Sequence, residues 1–203
     1  MSEANANVQE APEKKSSFQD FVMPVIILVL VCVVTTALLA ATNSVTAPVI
    51  EANNEASSNE TRYALLPEAS GFTAYEGELL TSSSSSVSDV YTADNGEGTV
   101  MTLVTKSFGG DLTMMVGFDA DGAITGVSIS DHSDTPGVGT NNMTDDYLGQ
   151  YVGLTSLTSS DVKSESSTLI SGGTFEYVSG ASVTGAAMHD AVYLAFEQLA
   201  AMG

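Results

Sequence analysis

The residues best placed to do chemistry are hydroxyls. "SGASVT", Ser179 to Thr184, sits immediately before what reads as the last helix of the chain. A serine or threonine there has a structural role open to it, accepting a hydrogen bond from the first-turn N–H groups, and Thr184 fits that N-cap position. The same helix start is an anion site, because free N–H groups and the positive end of the helix dipole favour a phosphate. A hydroxyl in that place can hold a phosphate noncovalently or be esterified by it. Other chemistries fail on residue count. The one cysteine, Cys32, lies in an apolar run and builds neither a disulfide framework nor a Cys-ligated cluster. His132 and His189 are too few and too far apart for a zinc site. Redox chemistry in this chain therefore calls for an organic cofactor.

Several elements must position those hydroxyls. The final segment, 185–202, puts Met188, Val192, Ala195 and Leu199 on one helical stripe, which predicts an amphipathic helix packed on a sheet. His189, beside Asp190, reads as an exposed or hydrogen-bonded helix residue rather than a catalyst. Period-two, β-branched patterning begins at Thr99, and residues 112–118 and 123–130 read as a hairpin turned by "DADG". That turn is not a calcium loop: the twelfth position from Asp119 is Ser130, where a glutamate is needed. Between hairpin and helix, "HSDTPGVGTNNMTDDYLGQYVG" is a loop leading to a short helical stretch around Tyr147. Its Pro136, Gly137 and Gly139 suit a tight loop and a close backbone approach to a ligand equally. The serine run 82–86 reads as a surface loop.

The start of the chain sets its class. Residues 21–50 contain no charge, and 21–41 as a helix would span about 30 Å, the hydrocarbon thickness of a bilayer. The run exceeds the apolar core of a cleavable signal, so an anchor is expected. Pro24 falls in its first turn, where a missing N–H costs little. Lys14 and Lys15 precede the span and the next basic residue is Arg62, which places the N-terminus in the cytoplasm and the rest outside. Five basic residues against 25 acidic give a formal net charge of −20, which excludes a basic-patch function such as nucleic-acid binding. The expected organisation is a cytoplasmic polar tail (1–20), a transmembrane helix (21–43), a juxtamembrane helix or linker stopped at Pro67 (44–70) and an extracytoplasmic α+β domain with an antiparallel sheet and packed helices (71–203).

Taken together, these residues resemble a known family. "SGASVT" is similar to the flavinylation motif [ST]-G-A-[ST]-x-[ST] of the FMN-binding domain found in the G subunit of Rnf complexes and the C subunit of sodium-translocating NADH:quinone reductases. "GGDLTMMVGFDADGAITGVSISDHSDTPGVGT" resembles that family's "GGP(I/L)xxxVGID-x-DGKITGVxI-x-x-HSETPGLG", and "SVTAPVIEANNEA" with "ALLPEA" resembles its post-membrane segment. The closer likeness is to the Rnf G subunit, since its quinone-reductase counterpart carries longer insertions after the span. The resemblance implies an electron-transfer flavoprotein subunit of a ferredoxin:NAD⁺ oxidoreductase coupled to sodium or proton translocation, a relay without a soluble substrate of its own. It implies FMN esterified through its phosphate by a flavin transferase of the ApbE type, with other Rnf membrane and iron–sulfur subunits as partners. It places the ester on the fourth motif residue, Ser182, where the family usually has threonine, with Thr184 as the other candidate. Glu176 stands where the family usually has aspartate. Ser179, Gly180 and Ala181, the Gly109–Gly110 turn and the loop of Thr135, Pro136, Gly137, Val138 and Gly139 are expected to line the flavin. The competing readings are the same domain in another extracytoplasmic electron-transfer system, and an anchored binding or scaffold protein without flavin.

Overall fold

The computed structural model describes residues 17–157, 178 and 180–203; Lys14, Lys15, Lys163, Glu176 and Ser179 lie outside the described residues. The chain divides into two compact units, Met1–Asn54 and Glu55–Gly203. One helix, α1 (Ser17–Leu65), begins in the first and ends in the second. It contains a stretch long and apolar enough to cross a membrane. Two hydroxyls within that stretch turn back onto the helix's own carbonyls, Thr35 onto Val31 at 2.9 Å and Thr42 onto Leu38 at 3.0 Å. No polar group of theirs is thus left for lipid to satisfy. Because the helix starts at Ser17, Pro24 sits beyond the first turn, not within it, and Pro48 is also internal. Each removes one backbone hydrogen bond from the ladder. The helix ends at Leu65, and Pro67 follows it as expected.

In the second unit five strands form an antiparallel sheet in sequential order: β1 (Phe72–Ala74), β2 (Ser85–Ala93), β3 (Gly98–Lys106), β4 (Asp111–Asp119) and β5 (Ile124–His132). This is an α+β arrangement. The expected hairpin is β4–β5, each strand a little longer than its alternation indicated, and the Asp119 carboxylate holds the turn by accepting from the N–H groups of Asp121 (3.0 Å) and Ala123 (2.8 Å). Strand β2 runs out of what reads as a serine loop. Ser85 is buried there, its hydroxyl donating to Thr105 Oγ1 of β3 at 2.9 Å. After β5 come a 3₁₀ turn (Gly139–Met143), the short helix α2 (Asp145–Leu148), a second 3₁₀ turn (Gly149–Tyr151) and, at the end, α3 (Ser182–Met202).

Side-chain alternation along the strands sends successive residues to opposite faces. Met101, Leu103, Leu112, Met114, Val116 and Phe118 join Met188, Val192 and Ala195 of α3 in the main core. Phe118 meets Phe196 edge to face, with ring centroids 5.1 Å apart. On the other face Val100 and Met115 pack with Leu65, Leu66 and Ala69 at the end of α1. Room for Leu65 comes from a cross-strand glycine pair, Gly117 and Gly126: a Cβ on the first would lie 2.9 Å from Leu65 Cβ, and on the second 2.8 Å from Leu65 Cδ2. Arg62 is buried beside it, its guanidinium 3.5 Å from the centroid of the Tyr91 ring and its Nη1 donating to Asn59 Oδ1 at 2.6 Å.

Candidate functional site

The site forms where the start of α3 meets two loops. Helical hydrogen bonding begins as Gly185 N–H donates to the Ala181 carbonyl at 3.0 Å, so the helix starts at Ser182 and Ala181 occupies the cap position without a side-chain cap. Thr184 is therefore not the N-cap that its type suggested. It lies inside the first turn, 1% exposed, and its hydroxyl donates to Asp134 Oδ1 at 3.2 Å. Ser182, two residues earlier, is exposed. The two candidate hydroxyls, Thr184 and Ser182, thus have opposite environments: one buried and donated to Asp134, the other exposed.

Asp134 joins the parts of the site. The oxygen that accepts from Thr184 also accepts from the Gly109 N–H at 2.8 Å, so one carboxylate ties the β3–β4 turn to α3. Close packing around it needs glycine. A Cβ on Gly139 would fall 2.6 Å from Asp134 Cγ, and one on Gly109 would fall 2.6 Å from Asp134 Cα. A second tie runs from the 3₁₀ turn, where Asn142 Nδ2 donates to the Ala181 carbonyl at 2.6 Å. Neither Asp134 nor Asn142 was singled out by sequence reasoning. Their partners stand 25 to 50 residues away, and no spacing rule connects them.

Beside these ties lies an apolar cavity of about 150 Å³ walled by Phe108, Val138, Gly139, Gly180, Ala181, Val183 and Thr184. Of the expected residues, Val138, Gly139, Gly180, Ala181 and Thr184 are walls. Thr135, Pro136 and Gly137 are exposed and do not line it, and Gly110 instead closes its hairpin by accepting from Ser107 N–H at 2.8 Å. Phe108, Val138 and Val183 are large apolar side chains left exposed.

An FMN fits what is present on three observations. Among the described residues no side chain caps the N–H groups at the start of α3 and no acidic residue occupies its first turn, and these are the conditions under which a helix start takes a phosphate. The adjoining cavity is apolar, as an isoalloxazine ring requires. Gly139 and Gly109 keep backbone and carboxylate close where any side chain would force them apart. Ser182 would bear the phosphate, and Phe108, Val138 and Val183 would meet the ring.

His189 stands apart from this chemistry. It is fully buried, with Nδ1 3.5 Å from the Tyr151 hydroxyl, so of its two expected placements the exposed one is excluded. Burial pushes its pKa down to about 4. Among the described residues no group of His, Cys, Asp and Glu side chains is arranged to hold a metal ion.

Fold and site together define an FMN-binding domain preceded in sequence by an apolar helix long enough to span a membrane. Comparison with known proteins gives the same class: residues 107–197 match the FMN-binding domain family and residues 24–65 match the RnfG N-terminal region. The chain belongs to the family of Rnf complex G subunits. It is 27% identical over 175 residues to the G subunit of the proton-translocating ferredoxin:NAD⁺ oxidoreductase complex of Clostridium ljungdahlii, covering 85% of this chain and 88% of the relative. It is 33% identical over 126 residues to the Na⁺-translocating counterpart of Acetobacterium woodii, covering 56% and 61%. To the G subunit of the ion-translocating oxidoreductase complex of Methanosarcina acetivorans it is 26% identical over 191 residues, covering 92% and 98%.

Proposed function

We propose that this chain is the electron-transfer flavoprotein subunit of an Rnf-type ferredoxin:NAD⁺ oxidoreductase coupled to Na⁺ or H⁺ translocation, with FMN esterified through its phosphate to Ser182. The observation that carries the reading is the pairing of an exposed Ser182 hydroxyl with an uncapped helix start beside an apolar cavity. FMN, when bound, supplies a carrier that takes up and releases electrons singly, so it can connect one-electron centres. The chain's own residues hold and orient it. The α3 N–H groups neutralise the phosphate, Phe108, Val138 and Val183 exclude water from the ring, and Asp134 keeps the two loops against the helix. Thr184 supports the site rather than bearing the ester, because its hydroxyl is already donated to Asp134.

Helix α1 anchors the domain in the membrane, the N-terminus lying in the cytoplasm and the FMN-binding domain outside it. Covalent attachment suits that placement, since a freely exchanging flavin would be lost from a compartment without a flavin pool. Iron–sulfur and membrane subunits of the complex supply the clusters and the ion path, and a transferase of the ApbE type installs the flavin. The test is coexpression with that transferase. Wild type and Thr184→Ala should fluoresce on a denaturing gel and show the FMN adduct by peptide mass spectrometry, and Ser182→Ala should lose both signals entirely. An adduct retained in Ser182→Ala and lost in Thr184→Ala would move the ester to Thr184. No adduct in wild type would overturn the flavoprotein reading.

A further inference from the structure

Asp134 carries more than its two hydrogen bonds require. Its side chain is buried, 5% exposed, and while Oδ1 accepts from both Gly109 N–H and Thr184 Oγ1, Oδ2 is also buried and has no hydrogen-bond partner among the described residues. No lysine or arginine among them pairs with it; the ion pair they contain joins Lys106 to Asp111, across the base of the β3–β4 turn. A carboxylate held out of water with half its acceptor capacity unused is costly to the fold. Its position is specific: it touches Gly109, Gly139 and Thr184, and the last two are walls of the cavity.

Resting on the flavin reading above, we infer that Asp134 is a positioning residue that also sets the reduction potential of the bound FMN. Two properties combine. Oδ1 fixes the β3–β4 turn and the start of α3 in one arrangement, which determines where a group tethered at Ser182 rests. The negative charge, buried and without a lysine or arginine partner among the described residues, opposes the charge that a flavin gains on reduction, and so holds its potential down. Oδ2, which has no partner among the described residues, would serve as an acceptor for a donor group of the cofactor, such as a hydroxyl of its ribityl chain.

Asp134→Asn separates charge from geometry. The amide oxygen still accepts from Gly109 and Thr184, but the charge is gone and the second acceptor has become a donor. Full-length wild type, Asp134→Asn and Asp131→Asn, each coexpressed with the transferase, are compared by adduct mass spectrometry and by spectroelectrochemical titration of the covalent flavin. Asp131 is exposed and three residues away, so its charge is screened by solvent and salt. The expected result is an Asp134→Asn protein that carries FMN at a potential above that of wild type, with Asp131→Asn unchanged. A flavinylated Asp134→Asn protein with the wild-type potential overturns the inference while leaving the flavin reading intact. Should Asp134→Asn take up no flavin, Asp134→Glu decides: wild-type loading and potential in that variant support the charge as the operative property, and failure to load overturns it. A wild type without adduct would instead defeat the flavin reading, and the assignment of Asp134 with it.

Discussion

On one face of the sheet, α3 lays Met188, Val192 and Ala195 over a layer of leucine, methionine and phenylalanine; on the other, the end of α1 sets Leu65 over two glycines. The first face is a broad apolar layer, whose stability grows with the area removed from water, about 25 cal/mol per Å². The second is narrow, and its fit depends on side chains being absent from Gly117 and Gly126. The functional residues belong to the first face. Helix α3 is held along its length by the core, so its first turn can leave Ser182 exposed and its N–H groups uncapped without losing its place.

The contrast can be broken or sharpened by substitution. The largest effect is expected from Phe118→Ala, which empties a fully buried position on the broad face and should lower unfolding free energy by about 3–5 kcal/mol in urea melts. A loss below about 1 kcal/mol would show that this face is not the source of stability. Next comes acidification, which acts on the same face through His189. Its pKa in the folded protein, about 4, lies below the ordinary value of 6.5, so the unfolded chain binds a proton that the folded chain refuses. Stability should therefore be unaffected by this residue above about pH 7 and fall as pH drops from 6.5 towards 4, by about 3 kcal/mol at most. The measurement is the difference between wild type and His189→Gln, which removes every contribution the two proteins share. The variant should show a shallower decline between about pH 6.5 and 4.5, and parallel curves would contradict the assignment.

Smaller effects belong to the narrow face. Gly117→Ala sets a methyl 2.5 Å from Thr125 Oγ1 and 2.9 Å from Leu65 Cβ, and the shift it forces should cost about 1–3 kcal/mol. Gly126→Ala meets only Leu65 Cδ2, the movable end of a side chain, and should cost less than about 1 kcal/mol. Equal losses in the two variants would mean that Leu65 shifts as a whole instead of yielding at its tip.

Legibility followed the same division. The β4–β5 hairpin and the stripe on α3 could be read directly, because period two runs unbroken through Leu112, Met114, Val116 and Phe118 of β4 and period 3.6 through α3, even though the pairing of β4 with β5 is irregular at two points. Strand β2 could not. A bulge between Val87 and Asp89 puts buried Val87 and Val90 three residues apart, which destroys alternation, and serines occupy its first positions because Ser85 is satisfied by Thr105. In the site, "SGASVT" announced the hydroxyls but not their division of roles. Thr184 resembles a cap by type, and only its neighbour in space, Asp134, reveals that its hydroxyl is committed elsewhere. The aspartate itself looked like one more loop acid among 25 acidic residues.

The Ala181 carbonyl, which receives both Gly185 N–H and Asn142 Nδ2, changes how the start of α3 should behave in time. First turns ordinarily fray, and their amides exchange with solvent long before the helix interior does. Here opening the first turn also means breaking a buried side-chain hydrogen bond to a different segment. The Gly185 amide should accordingly exchange on the schedule of the core rather than that of a helix end, so that the serine proposed to bear the flavin stands on ground that moves little between one encounter and the next.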